Sequence, residues 1–150
     1  MLRSALALKL LAVKENGAII AAPTFGFPSD VGGERNWDYR YVWLRDASFT
    51  VYAFLRLGFT SEACDFMNWV QARIEELKDG CDLQTMYKID GSRLEGEFHL
   101  EHLEGYRKSK PVRIGSTNHA QLQLDIYGEI MDAVYLYDKY GKAISYDFWN

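Results

Sequence analysis

Apolar residues recur at spacings of three and four over four stretches of the chain, the period of a helix with one buried face. Leu2, Leu6, Leu10 and Val13 predict a first helix over residues 4–13. Asn16-Gly17, residue types that tolerate a left-handed C-terminal cap, mark its end. A second helix is predicted over residues 44–57, stopped by Gly58. Its Phe49, Val51, Tyr52, Phe54, Leu55 and Leu57 cover most of the circumference, which predicts burial on several sides. The third helix has the clearest pattern: Ala63, Phe66, Met67, Val70, Ile74 and Leu77 step by three and four up to Asp79-Gly80. Thr60 or Ser61 offers an N-cap oxygen there, and Glu62 sits near the positive end of the dipole. The fourth is predicted over residues 118–137, with Leu122, Ile126, Ile130, Val134 and Tyr137 on one stripe. Residues 144–150 open a further segment.

The intervening stretches read differently. Residues 17–30 are extended: Ala18-Ile19-Ile20-Ala21 is apolar, and Pro23, Gly26 and Pro28 punctuate it. Residues 81–113 show no sustained period, and a polar, aromatic-bearing stretch of that length inside a domain usually carries function. Long helices, elaborate loops and no β/α alternation predict an all-α architecture with a short extended element near the N-terminus.

Composition narrows the function classes. The 150 residues, 48% hydrophobic and 25% charged, suit one globular domain. A net charge of −4 without a block of Lys or Arg argues against nucleic acid as a partner. No apolar run reaches the ~18 residues of a membrane span. Met1-Leu2-Arg3 could open a signal peptide, but Lys9, Lys14 and Glu15 interrupt the apolar stretch, so a cytoplasmic, reduced protein is expected. Cys64 and Cys81 form neither a disulfide framework nor a zinc spacing, and neither metal nor cofactor is expected.

Aromatic residues make up 15% of the chain, and their distribution changes the picture. Asn36-Trp37-Asp38-Tyr39-Arg40-Tyr41-Val42-Trp43-Leu44-Arg45-Asp46 holds two tryptophans, two tyrosines, two arginines and two aspartates within eleven residues. Flat rings pack on the C–H faces of a sugar, while carboxylate and guanidinium groups bond its hydroxyls through charged, directional hydrogen bonds. For an isolated Arg45-Asp46 pair a helix-start and surface-pair role would suffice; the aromatic density favours a sugar pocket. A second cluster, Glu95 to Tyr106, carries four glutamates with His99 and His102 and reads as a solvated acidic loop rather than an acid/base pair or a metal site. The basic loop from Gly105 to Ser116 lacks P-loop spacing and suits a sugar hydroxyl or a structural carboxylate equally.

Gly33-Glu34-Arg35-Asn36-Trp37-Asp38-Tyr39-Arg40-Tyr41-Val42-Trp43-Leu44-Arg45-Asp46-Ala47 resembles the signature of glycoside hydrolase family 15, the glucoamylase-like enzymes. So do Leu103-Glu104-Gly105-Tyr106-Arg107, Pro111-Val112-Arg113-Ile114-Gly115 and Gln121-Leu122-Gln123-Leu124-Asp125-Ile126-Tyr127-Gly128-Glu129, and the opening Arg3-Ser4-Ala5-Leu6 and Gly17 to Thr24 are similar to the start of that catalytic domain. The resemblance implies an (α/α)6 toroid, of which residues 1–150 would be the N-terminal portion with about five of the twelve helices. It implies inverting hydrolysis of an α-glucosidic bond by a glutamic acid and a glutamate base, neither of which has a counterpart in this chain, so no catalytic residue is assigned. The Arg45-Asp46 pair would hold the terminal glucose, Tyr39 and Trp43 would line the same subsite, and Asp38 would support it. Tyr106, Lys110 and Arg113 match a loop approaching the neighbouring subsite. His119 stands where the family pattern has a smaller residue, and that stretch is not carried over.

An exo-acting glucoamylase on α-glucan oligosaccharides is therefore the first expectation, with a trehalase of the same family as the alternative. A non-catalytic regulatory or carbohydrate-binding module on the same helical scaffold is the other. The 150 residues alone are expected to be inactive and to self-associate through helix faces left without partners.

Overall fold

A computed structural model describes residues 2–23, 27–79 and 82–149. Helix α1 (Leu2–Leu11) is followed by an extended segment that turns back at Gly17. Strand β1 (Val42–Trp43) leads directly into α2 (Leu44–Leu57), and a two-residue connection leads to α3 (Thr60–Glu75). Three short strands then alternate with loops: β2 (Met86–Tyr87), β3 (Glu97–His99) and β4 (Arg113–Gly115). Helix α4 (Asp125–Tyr140) and the single turn α5 (Tyr146–Trp149) complete the order. The architecture is all-α, with small antiparallel strand pairs.

The core forms where α2 meets α4 and α3. Leu44, Ala47, Val51 and Phe54 make one buried stripe of α2. It faces Ile126, Ile130, Ala133, Val134 and Tyr137 of α4 and Ala63, Phe66, Met67, Trp69 and Val70 of α3. Burying a side chain of this size contributes about 1.5–3 kcal/mol, so this interface dominates the stability of the unit. The opposite side of α2 is not buried: Phe49, Tyr52 and Leu57 are exposed. The expected all-round burial of this helix is thus absent among the described residues.

Helix α1 departs from its pattern more sharply. Leu2, Leu6 and Leu10 share a face, but that face points outward, and Leu2 and Leu10 are 75% and 79% exposed. The helix docks instead through Ala5 and Leu8, followed by Leu11, Ala12 and Val13. The helix stops at Leu11 because the backbone there pairs with the returning strand: Ile20 N donates to Leu11 O at 3.0 Å and Val13 N to Ala18 O at 2.8 Å. Gly17 does adopt the left-handed conformation (φ 82°), in this turn rather than as a helix cap. A Cβ there would collide with the Asp65 carbonyl.

Gly58 ends α2 as its pattern predicts. At φ 82° it lets its own N–H reach Leu55 O and the Phe59 N–H reach Phe54 O, the paired bonds of a Schellman motif. The Phe54 and Phe59 rings close the motif edge-to-face at 6.0 Å. Gly58→Ala is expected to cost about 1 kcal/mol for forcing a Cβ into left-handed backbone, read as a lower urea midpoint; an unchanged midpoint would remove the cap from the account.

At the start of α3 neither Thr60 nor Ser61 caps the helix. Ser61 Oγ donates to Glu62 at 2.9 Å, and Glu62 is ion-paired with Lys9 of α1, which holds its carboxyl below the usual range. Helix α4 begins seven residues later than its pattern predicts. Ser116 Oγ accepts from Asn118 N at 3.1 Å and starts a tight turn over Thr117–Ala120, and Thr85 Oγ1 donates to Gln121 O at 2.8 Å. Leu122 therefore lies outside the helix and is exposed. Gly80 and Cys81, near the expected end of the third helix, lie outside the described residues; Cys64 is a free thiol. No helix among the described residues is long and apolar enough to cross a membrane.

Candidate functional site

The aromatic run is held in place from two sides. Behind it runs the extended segment: Ala21 N donates to Tyr41 O and Ala22 N to Tyr39 O, each at 2.9 Å. Beside it, β1 pairs antiparallel with β2, setting Trp43 opposite Met86 and Val42 opposite Tyr87. Asp38 lies buried at its centre. Arg40 binds its carboxylate with both prongs, Nε at 2.8 Å and Nη2 at 2.9 Å. A two-pronged Arg–carboxylate pair fixes orientation as well as charge, so the chain leaves Asp38 in a set direction towards Trp43 and Arg45.

Tyr39, Trp43 and Asp38 line one cavity of about 200 Å³ together with Trp37, Met86, Ser116 and Asn118. The Trp43 Nε1–H is buried and has no acceptor among the described residues, so the residue brings an unspent donor as well as a flat ring. Arg45 and Asp46 are not among the residues lining this cavity; the Arg45 guanidinium adjoins it over Trp43, 5.3 Å from the centre of the indole ring. Nη1 donates to Asp125 Oδ2 at 2.7 Å, with Gln123 Oε1 further off at 3.5 Å, and Nε lies 4.0 Å from Asp46 Oδ2. Arg45 and Asp46 thus stand side by side at the first turn of α2, both about half exposed. Burial pushes the Asp46 carboxyl up from the usual carboxylate value, and the Arg45 charge pulls it partly back. A donor fork, an acceptor carboxylate and an aromatic face in one place can grip vicinal hydroxyls.

Trp37 also lines a second cavity, of about 400 Å³, with Phe27, Leu103, Tyr106 and Glu104. Phe27 and Tyr106 meet edge-to-face at 4.9 Å. Tyr106 sits in a tight turn in which Arg107 and Lys108 both take positive φ (47° and 66°), backbone that L-residues seldom adopt and that marks a specified loop. Lys110 is exposed and is not among the residues lining either cavity.

Arg113 lines the larger cavity, yet protein acceptors take its Nη1 and Nε donors. Nη1 bonds Glu34 O at 2.7 Å and both the carbonyl and side-chain oxygens of Asn36 at 2.9 Å, while Nε bonds Glu97 at 2.9 Å. Asn36 Nδ2 in turn donates to Ser109 O at 3.1 Å, and Gly32 N to Ser109 Oγ at 2.8 Å. These bonds tie residues 32–36 to the β3–β4 pair, in which Glu97 faces Gly115, Phe98 faces Ile114 and His99 faces Arg113. Glu97, part of the acidic cluster read as solvated, is a structural partner shared by Arg113 and His99. Glu95 and Glu101 do project into solvent. No group of three metal-ligating side chains occurs among the described residues.

Two residues escaped the sequence reading. Asp125 would have lain inside the fourth helix as its pattern predicts it, and only the later start of α4 brings it to the helix's first turn, opposite Arg45. Glu97 carries no local signal that separates it from its exposed neighbours.

Residues 1–150 match the profile of Glycosyl hydrolases family 15. The trehalase of Mycolicibacterium smegmatis is 44% identical over 149 residues, covering 98% of this chain and 22% of that protein. The trehalase of Thermoplasma acidophilum is 40% identical over 150 residues, all of this chain and 25% of that protein. Trehalase 2 of Sulfolobus acidocaldarius is 38% identical over 138 residues, 92% of this chain and 23% of that protein. The chain therefore spans 22–25% of the length of these curated relatives. No solved structure matches it. Since one family profile takes in its whole length and the aromatic run, the Arg45-Asp46 pair and the Tyr106 loop all fall inside that match, the chain belongs to glycosyl hydrolases family 15.

Proposed function

We propose that this chain supplies the sugar-holding part of a family 15 hydrolase whose substrate is trehalose, as the N-terminal portion of an (α/α)6 catalytic domain. The observation that carries the choice of trehalose over α-1,4-glucan is the set of trehalases at 38–44% identity along the chain. It favours the alternative in the family resemblance over the glucoamylase placed first. The two cavities share Trp37 in their walls, which suits a two-ring sugar of either linkage. In this reading Arg45 donates to, and Asp46 accepts from, the hydroxyls of one glucose while Tyr39 and Trp43 face its ring. Tyr106 and Trp37 face the second ring. Asp38 acts through the local frame, and Arg113 holds that frame rather than touching sugar. Lys110 stays outside the contact set.

Hydrolysis breaks one C1–O bond of the oxygen bridge between the two anomeric carbons: the hydroxyl of water bonds to that carbon with inversion, and a proton goes to the bridging oxygen, which departs with the second glucose. The acid and base for this step are assigned to glutamates outside residues 1–150. The contribution of these residues is to orient one ring so that water meets one face only. Purified full-length protein carrying this sequence is expected to turn over trehalose in preference to maltose; preferential turnover of maltose would restore the glucoamylase reading.

A pH dependence follows from Asp46. The folded protein holds the Asp46 proton more tightly than the unfolded chain does, so ionising it removes stability as pH rises through its raised value. The sugar, however, needs the ionised acceptor. Trehalose affinity is therefore expected to rise with pH through a point above that of an ordinary aspartate, and the inflection should vanish in Asp46→Asn. Calorimetric titrations across the acidic range read this directly; an identical profile in the variant would detach Asp46 from the sugar.

A further inference from the structure

Arg45 is a long, flexible side chain, and a guanidinium grips a planar set of oxygens well only when its fork is pre-oriented. Three contacts restrict it here. The Trp43 ring lies against one face of the guanidinium at 5.3 Å. On one edge, Nη1 is taken by Asp125 at 2.7 Å, with Gln123 at 3.5 Å. Nε points towards Asp46 at 4.0 Å. Among the described residues Nη2 has no protein partner, so Nη1 is held while the Nη2 N–H groups remain to be donated.

Asp125 comes from the first turn of α4, and Arg45 from the first turn of α2. These two helices share the largest interface in the fold, so their first turns are held in register by Ile126, Leu44 and Ala47 packed beneath them. The Arg45 guanidinium keeps the Asp125 carboxyl below the usual carboxylate range, so the pair stays charged on both sides where the sugar would bind. The pair is partly exposed, and as a surface ion pair it would add little to stability. Its consequence is geometric.

We propose that Asp125 is a positioning residue for the sugar site: by holding Nη1 it turns the remaining edge of Arg45 towards the substrate hydroxyls. The proposal rests on the assignment of Arg45 to the sugar. It implies that the trehalose-facing geometry depends on the packing of α4 against α2, although α4 itself contributes no sugar contact.

The test is a double-mutant cycle in the full-length protein, with trehalose binding read by calorimetry and folding by thermal unfolding. Asp125→Asn keeps the size and the hydrogen-bonding capacity at the helix start but removes the charge. It is expected to weaken trehalose binding roughly tenfold, the scale of coupling within one hydrogen-bonded network, and to leave the unfolding midpoint unchanged. In an Arg45→Ala background the same substitution should have no further effect, because no guanidinium remains to be positioned. Unchanged affinity in Asp125→Asn beside weakened affinity in Arg45→Ala would overturn the role of Asp125 and leave that of Arg45 standing. Unchanged affinity in Arg45→Ala would overturn the sugar-holding reading itself. An equal loss in both backgrounds, or a loss that tracks a lowered midpoint, would show Asp125 acting without Arg45 and would also overturn the proposal.

Discussion

Arg45→Ala is expected to weaken trehalose binding by about a hundredfold, with little change in the stability of the fold. Each hydrogen bond from a charged donor contributes about 1.5–3 kcal/mol, and two of them to sugar hydroxyls, taken at the low end of that range because the site is partly open to water, amount to a factor on the order of 100. Stability is spared because the side chain is partly exposed and its ion pair with Asp125 lies at the surface. Arg45→Lys should recover only part of the loss, since an ammonium lacks the flat fork that lies over Trp43. Calorimetric titration with trehalose, beside a urea melt, separates the two effects. A variant that melts early would point instead to a structural role.

Arg113→Ala should do the reverse, with stability falling by about 3 kcal/mol because a largely buried cation and its carboxylate partner are parted and the loop oxygens lose their donor. The side chain of Arg113 and that of Glu97 are each 15% exposed, so water replaces little of what is lost. The substitution frees residues 32–36 from the β3–β4 pair, and Trp37, next in the chain, sits in the wall between the two cavities. Trehalose affinity is therefore expected to fall as a consequence of the loosened loop, and more at high temperature than at low. Arg113→Lys should not rescue it: one ammonium cannot reach Glu97 and the Asn36 oxygens together. A variant with full stability and lost binding would return Arg113 to the sugar contacts that the family resemblance implies for it.

The helices with local signals were legible in the sequence. Helix α2 is bounded by the aromatic run on one side and by Gly58 on the other, and its bounds follow from nearest neighbours alone. Helix α4 did not yield its start, because residues 118–124 carry helical spacing but are diverted by a hydroxyl from Thr85, 36 positions earlier. The outward leucines of α1 were misleading for a related reason: periodicity finds a face but does not say which face docks. Strands of two and three residues are too short to alternate visibly, so the pair that anchors Trp43 and the pair that carries Arg113 were both silent.

The candidate site divides along the same line. Tyr39, Trp43, Arg45 and Asp46 lie within eight residues, and their chemistry could be read together from the run itself. Arg113 looked equally available to a ligand, and only its partners, up to 79 positions away, show that the fold has already used it. Asp125 is 80 positions from Arg45, and no local pattern couples them. Residue types announce what a side chain is able to do; long-range partners decide whether it is free to do it.

The assignment of trehalose holding to residues 1–150 is decided by titrating trehalose into purified full-length protein whose acid and base glutamates have been replaced, with tryptophan fluorescence as the readout, since Trp43 and Trp37 line the proposed contacts. Saturable binding at one site, weaker for maltose and lost in Arg45→Ala, is the expected result. Saturable binding that is equally tight for maltose, or unaffected by Arg45→Ala, would contradict it.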